Sequence, residues 1–172
     1  MSETLPILYV PSPILRAKAK PVAPGDEDRV RALSEKMLAT MYAAPGIGLA
    51  APQVGEGLRL VVIDIGPKDA PAPMVMVNPE VVAESMEQAT REEGCLSLPN
   101  IYADITRPLK VKVRYLALDG SKREIEGEGL LSACLQHEID HLNGVLFLDY
   151  LSALKRNMLL RKLAKELKLK QS

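Results

Sequence analysis

The stretch CLQHEIDHLNG, residues 134–144, holds both histidines of a 172-residue chain, four positions apart, with Glu138 directly after the first. Together with the GLLSA that precedes it, it carries Leu130, Leu131, Cys134, Leu135, Ile139 and Leu142 as a broad apolar stripe, and Asn143-Gly144 supplies a stop. The spacing predicts a mostly buried helix. His137 and His141, at i and i+4, project from one face of it, so their imidazoles can converge on a single cation. Glu138 lies too far around the helix to be an easy third ligand, yet close enough to hydrogen-bond to a water beside the ion, which suits a general base. Two histidines placed for packing alone would leave the same letters. The weight on the metal side is that the chain spends its whole histidine content here.

A third ligand has to come from elsewhere. After His141 the chain offers only Asp149 and Glu166, with no further histidine, which argues against a standard zinc protease. Upstream lies EEGCLSLP, residues 92–99, where Glu93 and Gly94 precede Cys95 and the glycine lets the backbone pass close to a neighbour. A Cys95 thiolate would complete a Cys/His/His set with one open position, the layout of a catalytic site, whereas a structural site should add a fourth ligand. The alternative for Cys95 is a buried thiol. Cys134 competes for the same role, but Cys134, His137 and His141 on one helix would span two turns and strain convergence, so Cys134 is read as a core or pocket-wall residue.

Outward from these motifs, the length favours one domain over residues 1–172. Hydrophobic residues make up 47% of the chain with no tryptophan and one phenylalanine, so aliphatic side chains must fill the core. The formal net charge of zero removes any whole-chain argument for nucleic acid or an anionic membrane as partner. No apolar run reaches the roughly 20 residues of a bilayer crossing, and the opening MSETLPILYVPSP lacks a basic n-region and a long h-region, so a cytosolic protein is expected.

The remaining elements follow from periodicity. A helix is predicted at about 26–43, with acidic residues first and Val30, Leu33, Met37, Leu38 and Met41 at helical spacing. GIGLAAPQVG (46–55) reads as irregular, LRLVVIDI (58–65) as a well-buried strand and PKDAPAP (67–73) as a loop. From Met74 to Thr90 further strands are expected, interrupted at Asn78-Pro79 because proline is disfavoured at a central ladder position. Residues 110–128 alternate on either side of Asp119-Gly120, a hairpin signature. Ser152 is placed as the cap of a basic amphipathic helix at about 152–168, with Leu154, Met158, Leu159, Leu163 and Leu167 on one face. The expected class is α+β, with antiparallel or mixed sheets packed around the HExxH helix and a helix at each end.

Three segments, GIGLAAPQ (46–53), EGCLS (93–97) and QHEIDH (136–141), in this order and with these separations, resemble the peptide deformylase family. The resemblance extends over nearly the whole chain, and the C-terminal helix resembles that of the bacterial class common in Gram-negative organisms. It implies hydrolysis of the formyl group from the N-terminal formylmethionine of newly made proteins in the bacterial cytoplasm. The implied cofactor is one divalent metal, Fe2+ in the cell, with Zn2+, Ni2+ or Co2+ as substitutes. On this likeness Cys95, His137 and His141 match the metal ligands and Glu138 the catalytic acid/base. Gln53 and the backbone N–H of Leu96 match the donors to the oxyanion. Gly48 matches a position where substrate backbone pairs like an added strand, although on residues alone GIGLAAP is also a plain tight connection. Ile47, Leu130, Cys134 and His137 correspond to methionine-pocket walls, with Gly94 among the substrate-contacting positions. Glu93 and Arg107 match a pair beside that pocket, although from sequence either reads equally as a surface charge. Arg91 and Tyr102 flank the site at positions where other members carry different residues, which bears on the preference for the residue after methionine.

From Lys155 to Lys170 there are seven basic residues against one acid, Glu166. A solvated helix face is one reading; weak contact with the ribosome surface, implied by substrates that emerge there, is the other. No membrane and no sequence-specific nucleic acid is expected as partner. Two rival functions stay open on the sequence. One is a metallopeptidase, whose expected downstream ligand is missing; the other is a non-catalytic protein with a structural metal or a packing-only HEIDH helix.

Overall fold

The computed structural model describes residues 3–171. Residues 1, 2 and 172 of the expected single unit and the side chain of Lys170 lie outside the described residues.

LVVI, from the run between Arg59 and Asp64, forms β2 (Leu60–Ile63), buried at all four positions. An unbroken apolar run of this kind requires cover on both sides of a sheet, because alternate residues face opposite ways. Leu60 and Val62 face α1 (Glu27–Ala43), joining Val30, Leu33, Met37 and Met41 in one cluster. Val61 and Ile63 face the opposite side, where α2 (Leu130–Leu142) contributes Leu135, Ile139 and Leu142 to a second cluster. The HExxH helix is therefore held on a sheet.

That sheet has five antiparallel strands in the order β1 (Gly48–Ala50), β2, β3 (Met74–Glu84), β6 (Lys110–Leu116) and β7 (Lys122–Glu128). β1 lies at one edge. The β6–β7 hairpin turns at Asp119-Gly120 as expected, with Gly120 at a φ of 84° that suits glycine. A separate two-stranded ribbon pairs β4 (Gln88–Cys95) with β5 (Leu98–Pro108). Leu98, Ile101, Ala103 and Ile105 of this ribbon pack with Phe147, Leu148 and Leu163, so α3 (Ala153–Gln171) closes over its apolar face.

Four local expectations change. GIGLAAPQVG is not irregular: Gly48–Ala50 pair with β2, and Ala51–Val54 form a 3-10 turn. β3 is not interrupted at Asn78-Pro79. It runs through as a central strand with a bulge between Val77 and Glu80, and Asn78 adopts a φ of 50°. The Asn78 N–H donates to Arg59 O at 2.8 Å and its side chain bonds both backbone groups of Val22, so proline sits where the ladder is already broken. β5 escaped the sequence reading because Pro99, Asn100 and Arg107 disguise an alternation in which residues 101, 103, 105 and 107 are buried and 102, 104 and 106 exposed. On α3, Ser152 Oγ accepts the Lys155 N–H at 3.2 Å as a cap, but the helix reaches Gln171 and its packed residues are Leu159, Leu160, Leu163 and Leu167. Leu154 and Met158 remain exposed. No helix among the described residues is long and apolar enough to cross a membrane.

Candidate active site

Cys95 ends β4, and the turn through Leu96 and Ser97 returns the chain into β5. That placement sets the thiol against α2. Cys95 Sγ lies 3.3 Å from His141 Nε2, and the ligand atoms of Cys95, His137 and His141 all fall within 4.8 Å of one another. Cys134 stays in the core cluster under α2, and burial pushes its thiol pKa up, away from the thiolate a ligand needs. Of the two cysteines, Cys95 is the one whose sulfur joins both histidines in a candidate metal cluster.

His137 is oriented from behind. Its Nδ1 meets Glu93 Oε1 at 3.1 Å, and because a carboxylate can only accept, Nδ1–H donates and Nε2 is left for a ligand role. Glu93 is held in turn by Arg107 through Nε at 2.7 Å and Nη2 at 2.9 Å. Arg107 Nη1 reaches Asp140 at 2.9 Å, Tyr150 donates its hydroxyl to the same Asp140 oxygen at 2.7 Å, and the guanidinium lies over the Tyr150 ring. Glu93 is 8% exposed and Arg107 4%, so the surface-charge reading of this pair fails. Burial works against the charged form of Glu93, but the bonds from His137 and Arg107 outweigh it and hold the carboxyl below its ordinary range. Burial likewise opposes the Arg107 charge, and Glu93 and Asp140 more than offset it. Among the protein groups alone, burial would lower the His137 pKa, yet Glu138, Cys95 and Glu93 raise it; burial and the neighbouring His137 lower that of His141.

Glu138 is buried, lines the cleft, and has Oε1 without a hydrogen-bond partner among the described residues. Burial pushes its pKa up to about 7. That value suits a group that takes and returns a proton at neutral pH. Gly48 leaves room for it: a Cβ there would stand 2.5 Å from Glu138 Oε2, so a side chain at 48 would have to displace the carboxyl. Gly94 is bounded by the Tyr102 ring, 2.6 Å from where its Cβ would be. A thiolate and two imidazoles make a borderline donor set suited to a first-row divalent cation, and a buried carboxyl oxygen without a partner next to them is a polar demand the protein does not meet itself. The residues therefore fit a catalytic metal.

The cleft has a volume of about 690 Å³. Ile47 and Leu130 flank it as exposed apolar side chains, 44% and 43% accessible, and Cys134, Gly94 and Leu96 also line it. Gln53 enters from the 3-10 turn, with Nε2 3.5 Å from Cys95 Sγ. The residues matched to catalytic, metal-binding and substrate-binding roles thus lie at or directly behind one cleft. Asp140, Tyr150 and Ser97 were missed, although Asp140 sits inside HEIDH and Ser97 inside EGCLS.

The family described as Polypeptide deformylase matches residues 4–157. The chain belongs to the polypeptide deformylase family. It is 53% identical over 161 residues to a peptide deformylase of Mesorhizobium japonicum, covering 93% of this chain and 91% of that one. A crystal structure of a peptide deformylase from Legionella pneumophila superposes with a TM-score of 0.91 at 51% identity, covering 98% of each chain. A peptide deformylase from Ehrlichia chaffeensis in complex with actinonin gives 0.89 at 39% identity, with 96% of this chain and 98% of that chain covered. As a deformylase-family member the chain is an enzyme, and the Cys95, His137 and His141 cluster is its candidate metal site.

Proposed function

We propose that the chain removes the formyl group from the N-terminal formylmethionine of nascent polypeptides, releasing formate, with residues 1–172 acting as one catalytic unit in the bacterial cytoplasm. The observation that carries this reading is the convergence of Cys95 Sγ and two imidazoles beside a buried Glu138, whose Oε1 has no hydrogen-bond partner among the described residues, in a cleft with apolar walls. Cys95, His137 and His141 would hold one divalent cation, Fe2+ in the cell with Zn2+, Ni2+ or Co2+ as substitutes. When bound, the cation supplies Lewis acidity that brings the ionisation of water toward neutral pH.

The residues then divide the work. Glu138 takes the proton from the attacking water and returns it to the departing amine, a role favoured by its raised pKa. Gln53 Nε2 and the Leu96 N–H donate to the formyl oxygen as charge develops on it. The free edge of β1 at Gly48 lets the substrate backbone add as a strand. Ile47, Leu130, Cys134 and His137 receive the methionine side chain, and Gly94 also lines the cleft. Glu93 and Arg107 fix the His137 ring. The exposed basic face of α3 is proposed to touch the ribosome weakly through electrostatics; a truncation that leaves co-sedimentation unchanged at low salt would leave α3 as a solvated face.

The direct test is formate release from a short formylmethionyl peptide by anaerobically purified protein with its metal content measured. Glu138→Gln should lose nearly all turnover with the metal retained. A shorter peptide in place of formate would mark a metallopeptidase, and full activity in the variant would mark a protein whose motif is not catalytic.

A further inference from the structure

The Gln53 carboxamide is held at both ends, and Ser97, one of its partners, has no role in the reading above. Gln53 Oε1 accepts the Ala50 N–H at 2.9 Å. A backbone N–H only donates, so the oxygen must face Ala50, and Nε2 is turned toward the ligand corner. This is the reach of a helix N3 glutamine back to the cap residue, which explains why glutamine closes GLAAPQ. Nε2 carries two hydrogens. One is taken by Ser97 Oγ at 3.1 Å, in a position with no solvent exposure; the other lies toward Cys95 Sγ at 3.5 Å. The backbones of both partners are pinned by one extended N-terminal segment, with Leu8 N–H donating to Gln53 O at 2.7 Å and Val10 N–H to Ser97 O at 3.1 Å.

We infer that Ser97 is a positioning residue: by accepting one Nε2 hydrogen it fixes the carboxamide plane, so that the second hydrogen keeps its direction toward the Cys95 corner, the side from which Gln53 would donate to the formyl oxygen. The inference rests on the deformylase reading and adds a residue to it. Without the hydroxyl, a buried N–H would lose its acceptor, and the carboxamide would rotate to recover one. Misdirecting a donor that acts only in the transition state lowers kcat and leaves KM nearly unchanged. Removing such a donor outright costs about 10²–10³ in turnover, so loosening it should cost less, on the order of tenfold.

The test is a double-mutant cycle on the metal-loaded enzyme with formate release as readout, comparing wild type, Ser97→Ala, Gln53→Ala and the double variant. Expected are a kcat reduced about tenfold in Ser97→Ala at unchanged KM and metal content, and almost no further loss when Ser97→Ala is added to Gln53→Ala, because coupled residues are not additive. Ser97→Thr, which keeps the hydroxyl, should recover most of the loss. If Ser97→Ala does not fold, Ser97→Cys, a poor acceptor of similar size, serves in its place. Equal losses in both backgrounds, or a wild-type kcat in Ser97→Ala, would overturn the inference alone. No formate from wild type would overturn the deformylase reading and this inference with it.

Discussion

The two histidines of HEIDH look equivalent in sequence and are held in opposite ways. His137 has a chain of partners behind it, Glu93, Arg107, Asp140 and Tyr150, each bonded to the next. His141 is fully enclosed, meets Cys95 at Nε2, and has Nδ1 without a partner among the described residues. One candidate ligand is therefore aimed by an ionic network buried at Glu93 and Arg107, the other by Cys95 and the packing around it. The difference predicts that defects behind the site reach the metal through His137.

The largest effect tests the equivalence. His137→Ala and His141→Ala should each reduce bound metal to a residual level and abolish formate release, because neither imidazole has a substitute nearby. Stoichiometric metal in either variant, measured after anaerobic purification, would break the ligand assignment.

Next comes the support of His137. Glu93→Gln removes the charge facing a buried Arg107 and leaves Asp140 as its carboxylate partner, so the loss should stay below the roughly 3–5 kcal/mol of a buried charge left alone. Loss of such an outer partner also weakens metal binding about 10–100-fold. Chemical denaturation and competition with a chelator measure the two separately. A variant as stable and as tight as wild type would reduce the network to decoration.

Acid should dismantle the same side first. The folded pKa of Glu93 is held below its ordinary 4.5, so its ion pair contributes stability that is present above that value and is lost as pH falls through the lowered one. Denaturation midpoints of wild type should fall below about pH 4.5, and those of Glu93→Gln should be flatter in that window. Because a thiolate and neutral imidazoles are the binding forms, metal retention should also decline on acidification.

The smallest effect lies at the far end of the chain of partners. Tyr150→Phe removes one bond to Asp140 and leaves the ring under the Arg107 guanidinium, so a loss near 1 kcal/mol and turnover within about threefold of wild type are expected. A collapse of activity would mean that the network acts as a unit rather than in steps.

What could be read without coordinates was local. The stripe of α1, the hairpin at Asp119-Gly120 and the i, i+4 histidines all declare themselves within a few residues, and so does the Ser152 cap. β5 did not, because its core-facing row includes the buried Arg107, which looks like surface until Glu93 is seen opposite it. The passage of β3 through Pro79 was hidden because the bulge is supported from Val22, 56 residues away. The three residues of the candidate metal cluster were legible through HExxH and the family resemblance. Behind it, the Glu93–Arg107 pair was indicated by the same resemblance, but its partners were not, since the bonds joining Arg107 to Asp140 and Gln53 to Ser97 span 33 and 44 residues. Such pairings are set by strand register and helix placement, which no window of sequence contains.

The central claim is that one sulfur and two imidazole nitrogens share a single cation. X-ray absorption at the metal edge of zinc-loaded protein measures this directly. The account predicts one sulfur at about 2.3 Å and two nitrogens at about 2.0–2.1 Å, with the sulfur lost in Cys95→Ser. A first shell without sulfur in wild type, in a folded sample holding one metal per chain, would contradict it.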